Sequence, residues 1–214
     1  MVDLVIYGAG GFGKEMHEIF MDVFGSEGNG RLVGFLDDTP ALSGADFRGS
    51  KVVGGVEWLA DHPDVQVVIA VGNPKSRRKV VTKIGRFGPR TFPNLVHPTS
   101  WLGSGIEFGE GVTIAAGCTL STELMFGSHV FINKNVTMGH NVILRDFVTV
   151  APSANIMSGS VVEEEADLGT NCTVLPNSRI GQGSVVGAGA VVTKDVPPGV
   201  TVVGIPARVL QKKR

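Results

Sequence analysis

The sequence predicts a small parallel α/β sheet followed by a solenoid of triangular coils. Two observations carry this reading. From Val96 to Val192 an apolar residue stands at every sixth position: Val96, Leu102, Phe108, Ile114, Leu120, Phe126, Ile132, Met138, Leu144, Val150, Ile156, Val162, Leu168, Val174, Ile180, Val186 and Val192. Ahead of that series, continuous apolar runs alternate with helical stripes and glycine-rich turns. A period of six matches neither a helix (about 3.6) nor an alternating strand (about 2). It is the mark of stacked coils whose short faces each turn one residue inward.

Residues 1–90 supply the α/β part. Val2–Tyr7 reads as a buried strand, and Phe12–Phe24 carries a helical apolar stripe. Leu32–Leu36 is a second strand that ends in Asp37-Asp38, and Val56–Ala60 a short helix. Val65–Val71 is a third strand, broken by Gly72-Asn73-Pro74, and Lys75–Ile84 is a basic amphipathic helix. Continuous apolar strands alternating with helices predict a parallel sheet covered on both faces. The turn-rich stretch 85–93 marks the boundary, with the second domain spanning 91–214.

From residue 95 the chain parses into hexads, beginning LVHPTS, WLGSGI, EFGEGV. Three hexads make one coil of 18 residues on this reading. The second position points inward, the third to fifth form a turn rich in Gly, Asn, Ser and Asp, and the sixth faces in again. Backbone groups then pair from coil to coil, leaving edges only at the two ends.

Composition narrows the function. The 214 residues carry 19 basic and 20 acidic side chains, a net charge of −1. No bulk field draws the chain to nucleic acid or an anionic membrane. Cys118 and Cys172 lie inside the repeat without a CxxC neighbour, so neither metal nor redox chemistry is expected of them. No leader and no membrane span is read in the sequence, and a cytoplasmic location is expected.

The chain resembles the hexapeptide-repeat sugar acyltransferases, in particular the sialic acid O-acetyltransferase and nucleotide 4-amino-sugar N-acetyltransferase family. The stretches that carry this are IYGAGGFGKE, VGFLDD, VGGVEWL, VIAVGNPKSRRKV, LVHPTS, FINKNVTMGHN, LGTNCTVLPN and VVGAGAVVTKDVPPGVTVVGIPARV. They span nearly the whole chain in family order. The resemblance implies a Rossmann-like nucleotide-sugar domain, a left-handed parallel β-helix and acetyl-CoA as co-substrate. It also implies a homotrimer with sites shared between neighbouring coils.

His140 lies at a turn position of TMGHNV, so its ring should leave the solenoid. The resemblance makes it the catalytic histidine. Acyl transfer from a thioester needs a base near working pH, which imidazole supplies, and a donor for the developing oxyanion. Asn141 departs from the family, where an acidic residue commonly follows the histidine. Its amide accepts a hydrogen bond from the ring but adds no charge, which suits an amine acceptor better than a hydroxyl. Asp146 is an alternative source of the carboxylate. Asn133 matches a family asparagine near the reacting group, although a turn asparagine is expected there too. Thr149 stands where relatives carry a second histidine that meets the acetyl donor. Arg145 replaces a glycine and reads as a solvated side chain.

Gly8, Gly10 and Gly13 partly meet a GxGxxG pattern between strand and helix. Glycines let phosphate approach closely, and a helix N-terminus favours anions. The domain has few strands and no second half, which disfavours a dinucleotide. By resemblance, Gly10, Gly11 and Phe12 with Asp37 and Asp38 hold a nucleotide-linked sugar, Asp37 reading base or ribose. Asn73 and Arg77 lie on the same carboxyl edge, Arg77 as a pyrophosphate contact. Gly169, Thr170, Gly187, Ala188, Ile205, Pro206, Ala207 and Arg208 match segments that line the coenzyme, with Lys212 and Lys213 near its phosphates. His17, His62, His97 and His129 receive no role.

The leading expectation is an acetyl-CoA-dependent N-acetyltransferase acting on a nucleotide-linked 4-amino-4,6-dideoxy sugar (UDP-, GDP- or dTDP-linked) for surface glycans. O-acetylation of a sugar hydroxyl and a non-catalytic binding solenoid are the alternatives.

Overall fold

The structure, a computed structural model, describes residues 2–25 and 28–211. Contacts divide the chain into a unit ending at Leu95 and a second starting at Val96.

The first unit contains β1 (Val2–Tyr7), α1 (Gly11–Phe20), β2 (Gly30–Leu36), β3 (Asp46–Phe47), β4 (Ser50–Gly54), β5 (Gln66–Ile69) and α2 (Pro74–Ile84). The sheet order is β3-β4-β2-β1-β5. All neighbours are parallel except β3, which returns antiparallel against β4. Leu4, Val5 and Ile6 of the central strand are fully buried. Such a strand has no solvent face, so it reads as an unbroken apolar run.

Two elements differ from expectation. The apolar stripe runs to Phe24, but α1 stops at Phe20 and the next turn, Met21–Gly25, widens to a π turn. Phe24 still packs on Phe20, ring centroids 5.2 Å apart. The β3–β4 hairpin has no counterpart in the sequence pattern. Its turn residues Arg48 and Gly49 have φ of 57° and 75°, the two positive values of a tight hairpin turn. The unit also runs past residue 90. Thr91 accepts a bond from the Val67 N–H at 3.1 Å, and Phe92 joins the apolar core. The Arg90 guanidinium donates to the carbonyls of Leu59 at 2.5 Å and Phe87 at 2.9 Å.

The second unit is a left-handed parallel β-helix with three sheet faces. Strand pairs repeat every 18 residues: Thr119 pairs with Thr137, Met125 with Ile143, and Phe131 with Thr149. Three hexads therefore close one coil. The inward residues from Ile114 to Val192 are buried in one continuous core. Each fully buried Val, Leu or Ile contributes about 1.5–3 kcal/mol. The first coil differs: Val96 and Leu102 are only partly buried and Phe108 is 38% exposed, because no preceding coil covers them.

The corners follow one rule. From Gly105 to Gly189 the fifth residue of every hexad has φ near +56 to +72°. Glycine takes this conformation without a steric penalty and asparagine tolerates it. Asn135, Asn141, Asn171 and Asn177 fill it in this chain. His129 and Phe147 also occupy it, one coil apart. Their rings stack at 5.0 Å, and both side chains are buried.

Candidate active site

His140 stands on the corner between the strands Thr137–Met138 and Ile143–Leu144. Coil pairing fixes the position. Its carbonyl accepts from Gly159 N–H at 3.0 Å, and Asn141 N–H donates to the Thr122 carbonyl at 3.1 Å. Gly139 is required just before it. A Cβ there would lie 2.6 Å from the backbone nitrogen of Ser158 in the next coil. The turn therefore projects the imidazole outward, and His140 is exposed.

Nδ1 of His140 and Oδ1 of Asn141 are 2.7 Å apart. An amide oxygen can only accept, so Nδ1 carries the proton and Nε2 offers a lone pair. The left-handed φ of 58° at Asn141 places the amide beside the ring. Asn141 therefore serves the turn and the histidine at once. Asp146 belongs to a different corner, where its Oδ1 accepts from Ser128 N–H at 2.8 Å. It is not the same-chain orienting group for His140. Asn133 accepts from Lys134 N–H through its side chain at 2.8 Å, the behaviour of a turn asparagine. Thr149 is buried between Phe131 and Asp167 in its sheet.

The coenzyme-matching segment is also largely explained by coil packing. A Cβ on Gly169 would lie 2.6 Å from the backbone nitrogen of Ala188. One on Gly187 would lie 2.7 Å from the Val203 side chain. Thr170 accepts from Gly189 N–H at 2.9 Å and Ala207 N–H donates to Val191 at 2.8 Å, both through backbone. The hairpin formed by Thr201–Val203 and Arg208–Val209 then exposes Ile205 (77%), with Pro206 and Arg208 beside it. Lys212 and Lys213 lie outside the described residues.

In the first unit, the glycine loop, Asp37-Asp38 and Asn73 all follow the carboxyl ends of parallel strands. That edge is where open α/β sheets bind ligands. The loop's glycines separate into two kinds. Gly8 has φ of 113°, and a Cβ there would lie 2.8 Å from the Ala70 carbonyl oxygen. A Cβ on Gly13 would press into the Gly8 carbonyl, 3.1 Å from its carbon. These two are demanded by the fold. At Gly10 and Gly11 an added methyl would meet nothing within 4 Å, so both face open space at the start of α1. No side chain caps that helix end. A helix N-terminus carries the positive end of the helix dipole and favours an anion.

Asp37 ties the loop to the sheet, accepting from Ala9 N–H at 2.9 Å and Thr39 N–H at 2.9 Å. Burial works against its charge, but these bonds prevail and hold the carboxyl below its ordinary value. Asp38 is likewise held low. Burial opposes its charge, and bonds from Lys83, Tyr7 and the Val56 N–H outweigh that. Lys83 Nζ stands 2.5 Å from it. Burial and the adjacent Asp38 together push the Tyr7 hydroxyl well up. Sequence reasoning missed Tyr7 and Lys83. Each reads alone as a strand or helix residue, and only the fold brings both to Asp38.

Asn73 caps α2, its side chain accepting from Ser76 N–H at 3.0 Å. Arg77 corrects an expectation. Its guanidinium is buried and donates to the carbonyls of Val71 at 2.9 Å and Gly72 at 2.8 Å. It braces the loop after β5 rather than facing a phosphate. Among the described residues, no group of three or more His, Cys, Asp or Glu is placed to hold a metal. No described helix is long and apolar enough to cross a membrane.

Known proteins share this architecture. Residues 3–84 match the PglD N-terminal domain. The chain is 32% identical over 214 residues to GDP-perosamine N-acetyltransferase of Escherichia coli O157:H7, covering 97% of this chain and 96% of that protein. It also superposes on a histidine variant of perosamine N-acetyltransferase from Caulobacter crescentus in complex with CoA and GDP-perosamine. That match has TM-score 0.88 and 25% identity, over 99% of this chain and 98% of the other. The acetyltransferase domain of PglB from Neisseria gonorrhoeae FA1090, in complex with acetyl coenzyme A, matches at TM-score 0.87 and 29% identity. It covers 97% of this chain and 98% of that one. By contrast, the chain spans 40% of the length of a Buchnera aphidicola serine acetyltransferase, 31% identical over 117 residues. The chain belongs to the hexapeptide-repeat nucleotide amino-sugar N-acetyltransferases.

Proposed function

We propose that this enzyme transfers acetyl from acetyl-CoA to the amino group of a nucleotide-linked 4-amino-4,6-dideoxy sugar, with His140 as general base. The observation that carries this is the exposed imidazole whose Nδ1–H is held by Asn141 at 2.7 Å. Nε2 is then the free basic atom. The sugar amine attacks the thioester carbonyl carbon, and Nε2 takes the proton that the nitrogen sheds. Collapse of the tetrahedral intermediate breaks the C–S bond, and the thiolate leaves with a proton returned from the imidazolium. A neutral amide beside the ring adds no charge to strengthen the base. A neutral amine is a better nucleophile than a hydroxyl, so it needs less help from a base.

Full-length similarity to a GDP-perosamine N-acetyltransferase supports a GDP-linked acceptor. The product then serves surface-glycan assembly. Gly10, Gly11, Phe12 and Asp37 hold the nucleotide-sugar, with Asp38 and Asn73 shaping the loops around it. Thr170, Ala188, Ile205, Pro206, Ala207 and Arg208 line the coenzyme, with Gly169 and Gly187 keeping the coil flat beneath it. Asn133 and Thr149 meet its acetyl end once the enzyme assembles as a homotrimer in the cytoplasm. The test is release of free thiol from acetyl-CoA with GDP-, UDP- and dTDP-linked amino sugars and with their 4-hydroxy counterparts. Turnover confined to hydroxyl acceptors would reject N-acetylation.

A further inference from the structure

The first unit contains a cleft of 390 Å³ bounded by Asp37, Asp38, Ser43, Glu57 and Lys83. Its size falls within the roughly 300–1,000 Å³ of small-molecule sites. It opens from Asp37, the residue that holds Ala9 of the glycine loop, so it adjoins the proposed phosphate-binding turn.

The three carboxylates of this cleft are not equivalent. Both oxygens of Asp37 accept backbone N–H groups. Those of Asp38 accept from Tyr7, Lys83 and Val56 N–H. Glu57 differs. It stands exposed on the first turn of the 3₁₀ helix Val56–Asp61. Among the described residues its carboxylate takes part in no hydrogen bond or ion pair. It folds back over Gly55, where a Cβ would lie 2.7 Å from each carboxylate oxygen. The absent side chain at Gly55 is what lets the carboxylate lie there.

A free carboxylate presents two acceptors side by side and pairs best with two parallel donors. Guanine offers that pair on one edge, N1–H and the exocyclic N2 amine. Uracil and thymine offer one N–H flanked by two carbonyl oxygens, so one carboxylate oxygen would face a lone pair. Building on the nucleotide-sugar reading above, we infer that Glu57 is the specificity-determining residue that reads the base, and that the base is guanine.

Calorimetric titration of the full chain, without acetyl-CoA, tests this with GDP, IDP, UDP and dTDP. The chain should bind GDP at least tenfold more tightly than UDP or dTDP. IDP, which keeps N1–H but lacks the N2 amine, should fall between. Glu57→Gln should weaken GDP about tenfold to a hundredfold, because its amide turns a donor toward the base. It should leave UDP unweakened or tighten it, because an amide offers the donor that uracil's carbonyl oxygen lacks opposite a carboxylate. Glu57 is exposed, so an unshifted melting temperature will show that the variant folds. UDP binding as tightly as GDP, GDP binding undiminished by Glu57→Gln, or no nucleotide binding would each overturn the assignment. Base selection is read here without turnover. Loss of the acetyl-transfer reading would therefore show in the thiol assay and leave this result standing, whereas UDP binding as tightly as GDP would sink the base assignment and leave acetyl transfer standing.

Discussion

Substituting alanine at two neighbouring glycines should have opposite consequences. At Gly11 nothing lies within 4 Å of an added methyl, and the position opens α1. Gly11→Ala should hold stability constant or raise it by up to about 1 kcal/mol, the usual gain of alanine over glycine in a helix. The same methyl occupies the space where phosphate would approach, so nucleotide affinity should fall at least tenfold. At Gly13 the methyl presses into the Gly8 carbonyl oxygen, a backbone atom that cannot rotate aside. Overpacking of this kind costs about 1–3 kcal/mol. Trp58 lies in the first unit and Trp101 in the second. In a Trp101→Phe background, urea unfolding followed by Trp58 fluorescence isolates the first unit. Calorimetry with GDP supplies the affinity. Gly11→Ala binding GDP as well as the parent would refute the assignment of this turn to phosphate.

Three further outcomes follow. Asn141→Ala strains a residue at φ 58° and removes the acceptor for Nδ1–H; kcat should drop about five- to tenfold, with Asn141→Asp restoring most of it. Asp37 and Asp38 are held below their unfolded value of about 3.9. Their contribution is therefore present above about pH 4 and lost as pH falls through the depressed folded values. Acid titration of Trp58 fluorescence should show this, with Asp38→Asn shrinking the effect. Burial pushes both free thiols up, Cys172 to about 12. A disulfide reagent should label neither in the folded protein and both in urea.

The solenoid is legible in the sequence because its constraint is one-dimensional. Each coil buries the same positions, so Ile114, Ile132 and Val150 announce one sheet face without knowledge of the rest. The first coil is the exception: Phe108 obeys the period but lacks a coil to cover it. In the α/β unit the buried strands are legible as apolar runs. The β3–β4 hairpin is not, because its strands are short and its turn uses Arg48 in a conformation usually given to Asn or Gly. At the site, the outward course of His140 and its Asn141 partner follow from turn position alone. Arg77 misleads because a basic residue at a helix start suggests an anion, while the fold turns it onto the carbonyls of Val71 and Gly72. The side-chain partners of Asp38, Tyr7 and Lys83, come from β1 and α2, a juxtaposition that no local pattern announces.

The role of His140 is tested most directly by replacing it with asparagine and measuring thiol release from acetyl-CoA at saturating GDP-linked 4-amino sugar. Asparagine keeps the turn but cannot take a proton. The rate should fall about 10²–10⁴-fold, with acetyl-CoA and nucleotide affinities retained. A variant that turns over at the parent rate would show that the imidazole is not the base.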